Sequence, residues 1–280
     1  MSTPITAALV NELRQRTSRP MMECKNALVE AGGDVKKAEE DLRKKGGIAK
    51  SDRATGEGRI AVYIDPAKHV GALIEVLCES APVAKGEHFV ALANDLAKQV
   101  ALEGATTPEQ LLGQKFVGDP TRTVQERIGD VIGVIREAMK PGRMVRLQGQ
   151  LGSYVHHDGS IGVLLQVEGN NPDPQVLRDV CMHITATRPI AARREEVPAE
   201  VVEKEKEIAK AQIANDPKNA GKPANILEKI AEGKLKTFFA ENVLIDQPFV
   251  KDSTRTVGQL LQTAGLKVVR FVRYKVGEVQ

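Results

Sequence analysis

The chain runs to 280 residues, enough for two cores, or three with a small one. Hydrophobic residues make up 41% and charged residues 28%, the balance of an ordinary globular protein, and 40 basic against 37 acidic residues leave a formal net charge of only +3. That field is too weak to hold a polyanion, and six Phe and three Tyr without a Trp make no stacking platform, so nucleic acid is excluded as a partner.

No apolar run approaches the ~18 residues of a membrane helix, so no membrane partner is expected. Met1-Ser2-Thr3-Pro4 opens directly into an amphipathic segment without the basic and apolar regions of a secretion signal. Cys24, Cys78 and Cys181 form neither a disulfide framework nor a zinc pattern. A cytoplasmic protein without metal or cofactor is expected.

Thr6 is an N-cap for a helix whose Leu9, Val10 and Leu13 fall at helical spacing. That helix breaks near Thr17-Ser18-Arg19, and Pro20 suits the first position of the next, where a missing N–H costs nothing. Cys24, Leu28 and Ala31 give the second helix one apolar face, and Gly32-Gly33 ends it. Asp34 caps a third helix with Val35, Ala38 and Leu42 inward, and Lys50 to Gly58 reads as a linker. Met21 and Met22 head the second helix. One of the pair is expected in the core, because neighbours on a helix lie about 100° apart and both facing inward is hard to arrange. An exposed Met is a soft, adaptable contact for an apolar patch on a partner.

Beyond the linker, Ile60, Val62 and Ile64 alternate as in a half-buried strand, followed by a turn, a second strand from Val70 to Cys78 and a helix from Lys85 to Leu102. The arrangement recurs: a strand from Leu151 to His157, the hairpin signal Asp158-Gly159, a strand from Ser160 to Glu168 and a helix from Pro174 to Thr187. Two copies of this unit predict an α+β fold with a duplicated core. Between the copies Val124, Ile128, Val131, Ile135 and Met139 predict one helix over 121–139. From Pro198 to Ala214, and again up to Phe239, helical periodicity on either side of polar breaks predicts two antiparallel helices projecting as an arm. Such an arm is either a solvated excursion or a face for a partner helix, a second copy of the chain included. A helix over 254–264 and a strand through Val268, Val272 and Tyr274 close the chain. The domain division expected is a module over 1–49, a linker over 50–58, a first subdomain over 59–142, a second over 143–190 and 224–280, and an arm over 191–223.

Tested as an enzyme, the chain offers no phosphate-binding glycine loop, no nucleophile elbow and no acid–base pair, so no catalytic residue is assigned. His156 and His157, read as strand neighbours, point to opposite faces and do not share a metal. Cys181 and His183 stand about 200° apart on a helix, the wrong geometry for joint ligation. What remains is Cys78-Glu79-Ser80-Ala81-Pro82-Val83, exposed by position between an apolar strand and a long helix, and without catalytic groups. Its function is read as contact.

The string Leu9-Val-Asn-Glu-Leu-Arg-Gln-Arg-Thr17, with Met21-Met22-Glu23-Cys24-Lys25-Asn26-Ala27-Leu28, Leu151-Gly-Ser-Tyr154-Val-His156, Gln247-Pro-Phe-Val250 and Thr256-Val-Gly-Gln-Leu-Leu261, resembles the elongation factor Ts family. The resemblance extends in order along essentially the whole chain. It implies an N-terminal module like a ubiquitin-associated domain, two related α+β subdomains and a helical-hairpin insertion. It implies as partner elongation factor Tu, GDP-bound or nucleotide-free, with exchange of guanine nucleotide as the function. Met21 and Met22 match contact positions of the N-terminal module, and His156 matches a histidine near the GTPase. Ser80, Ala81, Pro82 and Val83 match a Thr-Asp-Phe-Val loop that disturbs the magnesium site beside the nucleotide.

Three departures stand out. The loop lacks the acid and the aromatic wedge, and burying a Phe side chain is worth about 1.5–3 kcal/mol. Ser18-Arg19-Pro20 stands where the family usually has glycines, and the sequence stops at Gln280 without the terminal helix of some members. The alternative to exchange is a protein that holds the GTPase without releasing its nucleotide efficiently.

Overall fold

The computed structural model describes residues 4–17, 19–45, 54–219 and 222–278. The chain divides into two compact units: Met1–Gln148 with Val155–Gly162 and Tyr274–Gln280, and Gly149–Tyr154 with Val163–Arg273.

The first unit opens with α1 (Ala7–Thr17), α2 (Met21–Glu30) and α3 (Val35–Lys45). Thr6 Oγ1 accepts from Leu9 N at 3.3 Å, the expected cap. Gly32 and Gly33 take positive φ, and Gly33 N donates back to Leu28 O at 2.8 Å, so α2 ends in a left-handed turn that favours glycine. Asp34 Oδ1 then accepts from Lys37 N at the start of α3. Val10, Leu13, Cys24, Ala27, Leu28, Ala38 and Leu42 form the core between the three helices. Of the linker reading, residues 50–53 lie outside the described residues; the first strand begins at Glu57.

β1 (Glu57–Asp65) and β2 (Val70–Cys78) pair antiparallel from Glu57↔Cys78 to Asp65↔Val70, and β5 (Met139–Gln148) joins the other side of β2. Asp65 Oδ1 closes the first hairpin by accepting from the amides of Ala67 and Lys68 at 3.0 Å each. One turn of helix, α4 (Ala81–Ala84), follows β2, and α5 (Glu87–Glu103) lays Phe89, Leu92, Leu96 and Val100 on the sheet. Then come α6 (Pro108–Gly113), the two-residue β3 (Lys115–Phe116), β4 (Asp119–Thr123) and α7 (Val124–Ile135).

The single helix expected over 121–139 is therefore shorter. Thr123 Oγ1 accepts from Glu126 N while the Glu126 carboxylate accepts from Thr123 N, fixing the start, and Arg136 at φ +70 fixes the end. Met139 is buried as expected, but as the first residue of a strand. Lys140-Pro141-Gly142-Arg143 reads as a turn in sequence. Pro141 is tolerated because β5 is an edge strand, and the register shifts beside it, between Ile74 and Val76 of β2.

A second three-stranded sheet is built from β6 (Gln150–Val155), β7 (Ile161–Gly169) and β10 (Leu266–Lys275), ordered β6-β7-β10 as the first is ordered β1-β2-β5. α8 (Pro174–Thr187) packs Leu177, Val180, Cys181 and Ile184 into the second core. The arm is α9 (Ala199–Asn215) and α10 (Ala224–Asn242); of the expected break, Gly221 lies outside the described residues. At its base Ala191, Val197 and Val243 form a small apolar cluster, and Arg194 grips Asp246 through two hydrogen bonds of 2.6 and 2.8 Å.

The duplication runs further than strand, strand and helix. Phe249-Val250-Lys251-Asp252-Ser253-Thr254-Arg255-Thr256-Val257, forming β8 (Pro248–Phe249), β9 (Asp252–Thr256) and the start of α11 (Val257–Thr263), repeats Phe116-Val117-Gly118-Asp119-Pro120-Thr121-Arg122-Thr123-Val124. Both hairpins carry the same irregular register, and both following helices start with a capping box. Gln99 Oε1 accepts from Val117 N at 2.8 Å in the first copy, and His183 Nδ1 accepts from Val250 N at 3.3 Å in the second. The second contact places the His183 proton on Nε2, which donates to Gln247 Oε1 at 2.8 Å. His183 is thus a buried, neutral strut, and on the same helix burial holds the Cys181 thiol well above its ordinary pKa.

Candidate functional site

The loop after β2 is fixed at both ends and open in the middle. Cys78 is fully buried, its Sγ donates to Ser80 O, and burial pushes its thiol up to about 11, so it stays protonated and unreactive at neutral pH. Ser80 N and Ser80 Oγ both donate to the Glu137 carboxylate, at 3.1 and 2.6 Å. Glu79 Oε1 accepts from Ala138 N at 2.6 Å, so two consecutive loop residues are tied to the chain just past α7. Val83 is half-buried against the core of β2 and α5, and Ala84 is buried. Within residues 78–84 only Ala81 and Pro82 are exposed.

The expected loop is in fact the helical turn α4. Pro82, one of its first two residues, has no N–H to leave unpaired, and the amides of Ala84, Lys85 and Gly86 bond back to Ser80, Pro82 and Val83. The matching loop of the second copy is held differently. Gly169 adopts φ +143 against the backbone of Gly265, where a Cβ would collide.

Met21 and Met22 are 51% and 63% exposed, so neither supplies the core residue expected of the pair. Just upstream, Arg19 is buried and Pro20 stands at the N-cap of α2, and Cys24 and Leu28 supply the inward face of the helix. Glu23 on the same turn meets Arg136 Nη2 at 2.5 Å. Residues 136–138 therefore serve both places: Arg136 holds the head of α2, while Glu137 and Ala138 hold the loop after β2. Neither Glu137 nor Arg136 was legible as a site residue, because a carboxylate and a guanidinium at a helix end read as solvated charges.

His156 lies in the turn between β6 and β7, its N donating to Ile161 O and its O accepting from Gly159 N, both at 2.8 Å. His156 and His157 are therefore not the strand neighbours on opposite faces that their spacing predicts. β6 ends at Val155, and in the turn the two rings meet edge-on with centroids 4.4 Å apart. Asp158, held below the ordinary carboxylate range by the Ser160 amide and hydroxyl, sits beside them. Among the described residues no group of three His, Cys, Asp or Glu is placed to hold a metal ion, and no helix is long and apolar enough to cross a membrane.

These features define an α+β protein with a duplicated core, whose candidate site is a projecting turn and an exposed methionine pair rather than a cleft. The family described as Elongation factor TS matches residues 79–278. Elongation factor Ts of Methylococcus capsulatus is 44% identical over 282 residues, covering 98% of this chain and 92% of its own. Those of Thioalkalivibrio sulfidiphilus and Clostridium kluyveri are 43% and 40% identical, over 98% of this chain and 92% and 93% of theirs. The chain belongs to the elongation factor Ts family.

Proposed function

We propose that the chain is a guanine-nucleotide exchange factor that binds elongation factor Tu in its GDP-bound form and speeds GDP release by disturbing the magnesium and nucleotide site. The observation that carries this reading is the turn after β2, where Ser80 and Val83 are fastened and Ala81 and Pro82 face outward. In this reading that turn reaches the magnesium site, Met21 and Met22 supply soft apolar contacts on the GTPase, and His156 adds a contact from the core. The physical basis is linkage. A factor that prefers the nucleotide-free partner weakens GDP by the same ratio by which GDP weakens it. Magnesium bridges phosphate oxygens and protein ligands, so disturbing its shell removes much of the nucleotide's hold.

Pro82 is a smaller knob than an aromatic wedge, but its fixed φ lowers the cost of ordering the turn on binding. That smaller knob also supports a second reading, a protein that holds the GTPase without efficient release. The experiment follows fluorescent GDP leaving elongation factor Tu with substoichiometric chain present. Multiple-turnover acceleration is expected; complex formation without acceleration would defeat exchange. The double variant A81D/P82F separates the readings. If the native turn is an effective wedge, the variant changes the rate by less than about tenfold, whereas a gain of one to two orders of magnitude, the worth of one buried Phe, would favour holding.

A further inference from the structure

Both candidate contact regions converge on the end of α7, and a buried cation lies where they meet. Arg19 is 7% exposed, although a guanidinium in a turn ordinarily reaches to solvent. Its Nη2 donates to Leu42 O at 3.3 Å, and its Nη1 stands 3.8 Å from Glu23 Oε2. The other oxygen of Glu23 receives Arg136 Nη2. The guanidinium lies against α7 where residue 133 has no side chain, and a Cβ there would overlap it. Asp130, one turn earlier on α7, adds negative potential, while burial pulls the guanidinium below its ordinary pKa. Arg136 adopts a left-handed conformation at the end of α7, which costs an L residue about 1–2 kcal/mol, and from there its side chain reaches Glu23. The next residue, Glu137, holds Ser80.

We propose that Arg19 is a positioning residue: seated on Gly133 and sharing Glu23 with Arg136, it locks the three-helix module onto α7, so that the Met21-Met22 pair and the Ala81-Pro82 turn are presented at one fixed spacing. The consequence for exchange rests on the function proposed above; the lock itself does not. A module free to rotate would offer both contacts together only part of the time, and apparent affinity falls by that fraction.

The lock is measured on the free chain by the distance between spin labels at V29C and H88C, exposed positions on α2 and in the first turn of α5. The three native cysteines are buried and leave the labels specific. One narrow distance distribution is expected. R19M, which keeps the bulk and removes the charged fork, should broaden it, R19K should not restore it, and G133A, which alters only α7, should broaden it equally. Amide protection at Leu13 and Leu28 should be unchanged in G133A.

Distributions that stay narrow in both R19M and G133A overturn the proposal. So does loss of Leu13 and Leu28 protection in G133A, which would mean the module's own fold had failed. In nucleotide release, the half-saturating concentration of R19M should rise about tenfold if the competent orientation falls to about one tenth, with the plateau rate kept. A lowered plateau at unchanged half-saturation would overturn the positioning role. A native chain with narrow distances but no effect on GDP would remove the exchange reading and leave the lock standing.

Discussion

His183 and Gln99 do one job with different chemistry. Each is a buried polar side chain that accepts the backbone amide of a two-strand hairpin, and each bonds a glutamine side chain, Gln247 or Gln114, whose own carbonyl receives the first amide of the next helix. Only the histidine titrates. Burial lowers its pKa in the folded chain, so near and below about pH 6.5 the unfolded chain takes up a proton that the folded chain refuses. Stability is therefore full above that value and falls as pH drops below it. Replacing His183 by the glutamine of the first copy should change stability at about pH 8 by less than about 1.5 kcal/mol and flatten the loss between about pH 7 and 5. Urea unfolding at these pH values checks this; an equally steep loss in H183Q would contradict it. The sequence marked His183 only as too poorly placed to share a metal with Cys181. Its partner in the other copy is an amide, and nothing in either residue type announces the equivalence.

At the scale of elements, the two capping boxes differ in one respect that matters for pH. Thr123 is paired with Glu126, Thr256 with Gln259. Hydrogen bonding by the Thr123 amide holds the Glu126 carboxylate below its ordinary value, so its contribution is present above about pH 4.3 and is lost as pH falls through the lower folded value. E126Q should remove this acid sensitivity from the start of α7 while leaving neutral-pH stability within about 0.5 kcal/mol. Hydrogen exchange at Glu126 and Arg127 in native and variant chains between about pH 5 and 3.5 is the measurement, with Gln259 in α11 as the internal reference; equal acid loss in both chains would refute it.

Elements with strong periodicity were legible: α5 from Phe89, Leu92, Leu96 and Val100, and β1 from its alternating isoleucines and valine. β5 was not, because a bulged edge strand admits Lys140-Pro141-Gly142-Arg143, the composition of a turn. The repeat of Phe-Val-x-Asp-x-Thr-Arg-Thr-Val was present in the sequence, and a self-comparison over the whole chain, rather than over strands and helices, would have found it. At the site, the outward position of Ala81 and Pro82 could be read from their place between strand and helix. The fastening by Glu137 could not, since it pairs residues 57 positions apart.

At the scale of the whole molecule, sequence-distant segments of the first unit are tied by an ion pair whose carboxylate is buried. Glu75, 5% exposed at the bulge of β2, is gripped by Arg143 Nε and Nη2 at 3.0 and 3.1 Å. Arg143 Nη2 also donates to Lys275 O at 2.7 Å and its guanidinium lies over Tyr274, while Gly277 N donates to Glu75 Oε1. Removing Glu75 leaves the partly buried Arg143 guanidinium without its carboxylate. E75A should cost about 1–3 kcal/mol, read as a lower urea midpoint with exposure of the Gly277 amide to exchange. A loss under about 1 kcal/mol would mean that Arg143 finds water or another acceptor.

The fastening of the turn after β2 divides its residues by what a substitution there would disturb. Ser80 and Val83 are held by the chain's own interior, while the side chains of Ala81 and Pro82 are exposed. A change of side chain at that pair therefore leaves the bonds of Ser80 to Glu137 and the packing of Val83 in place.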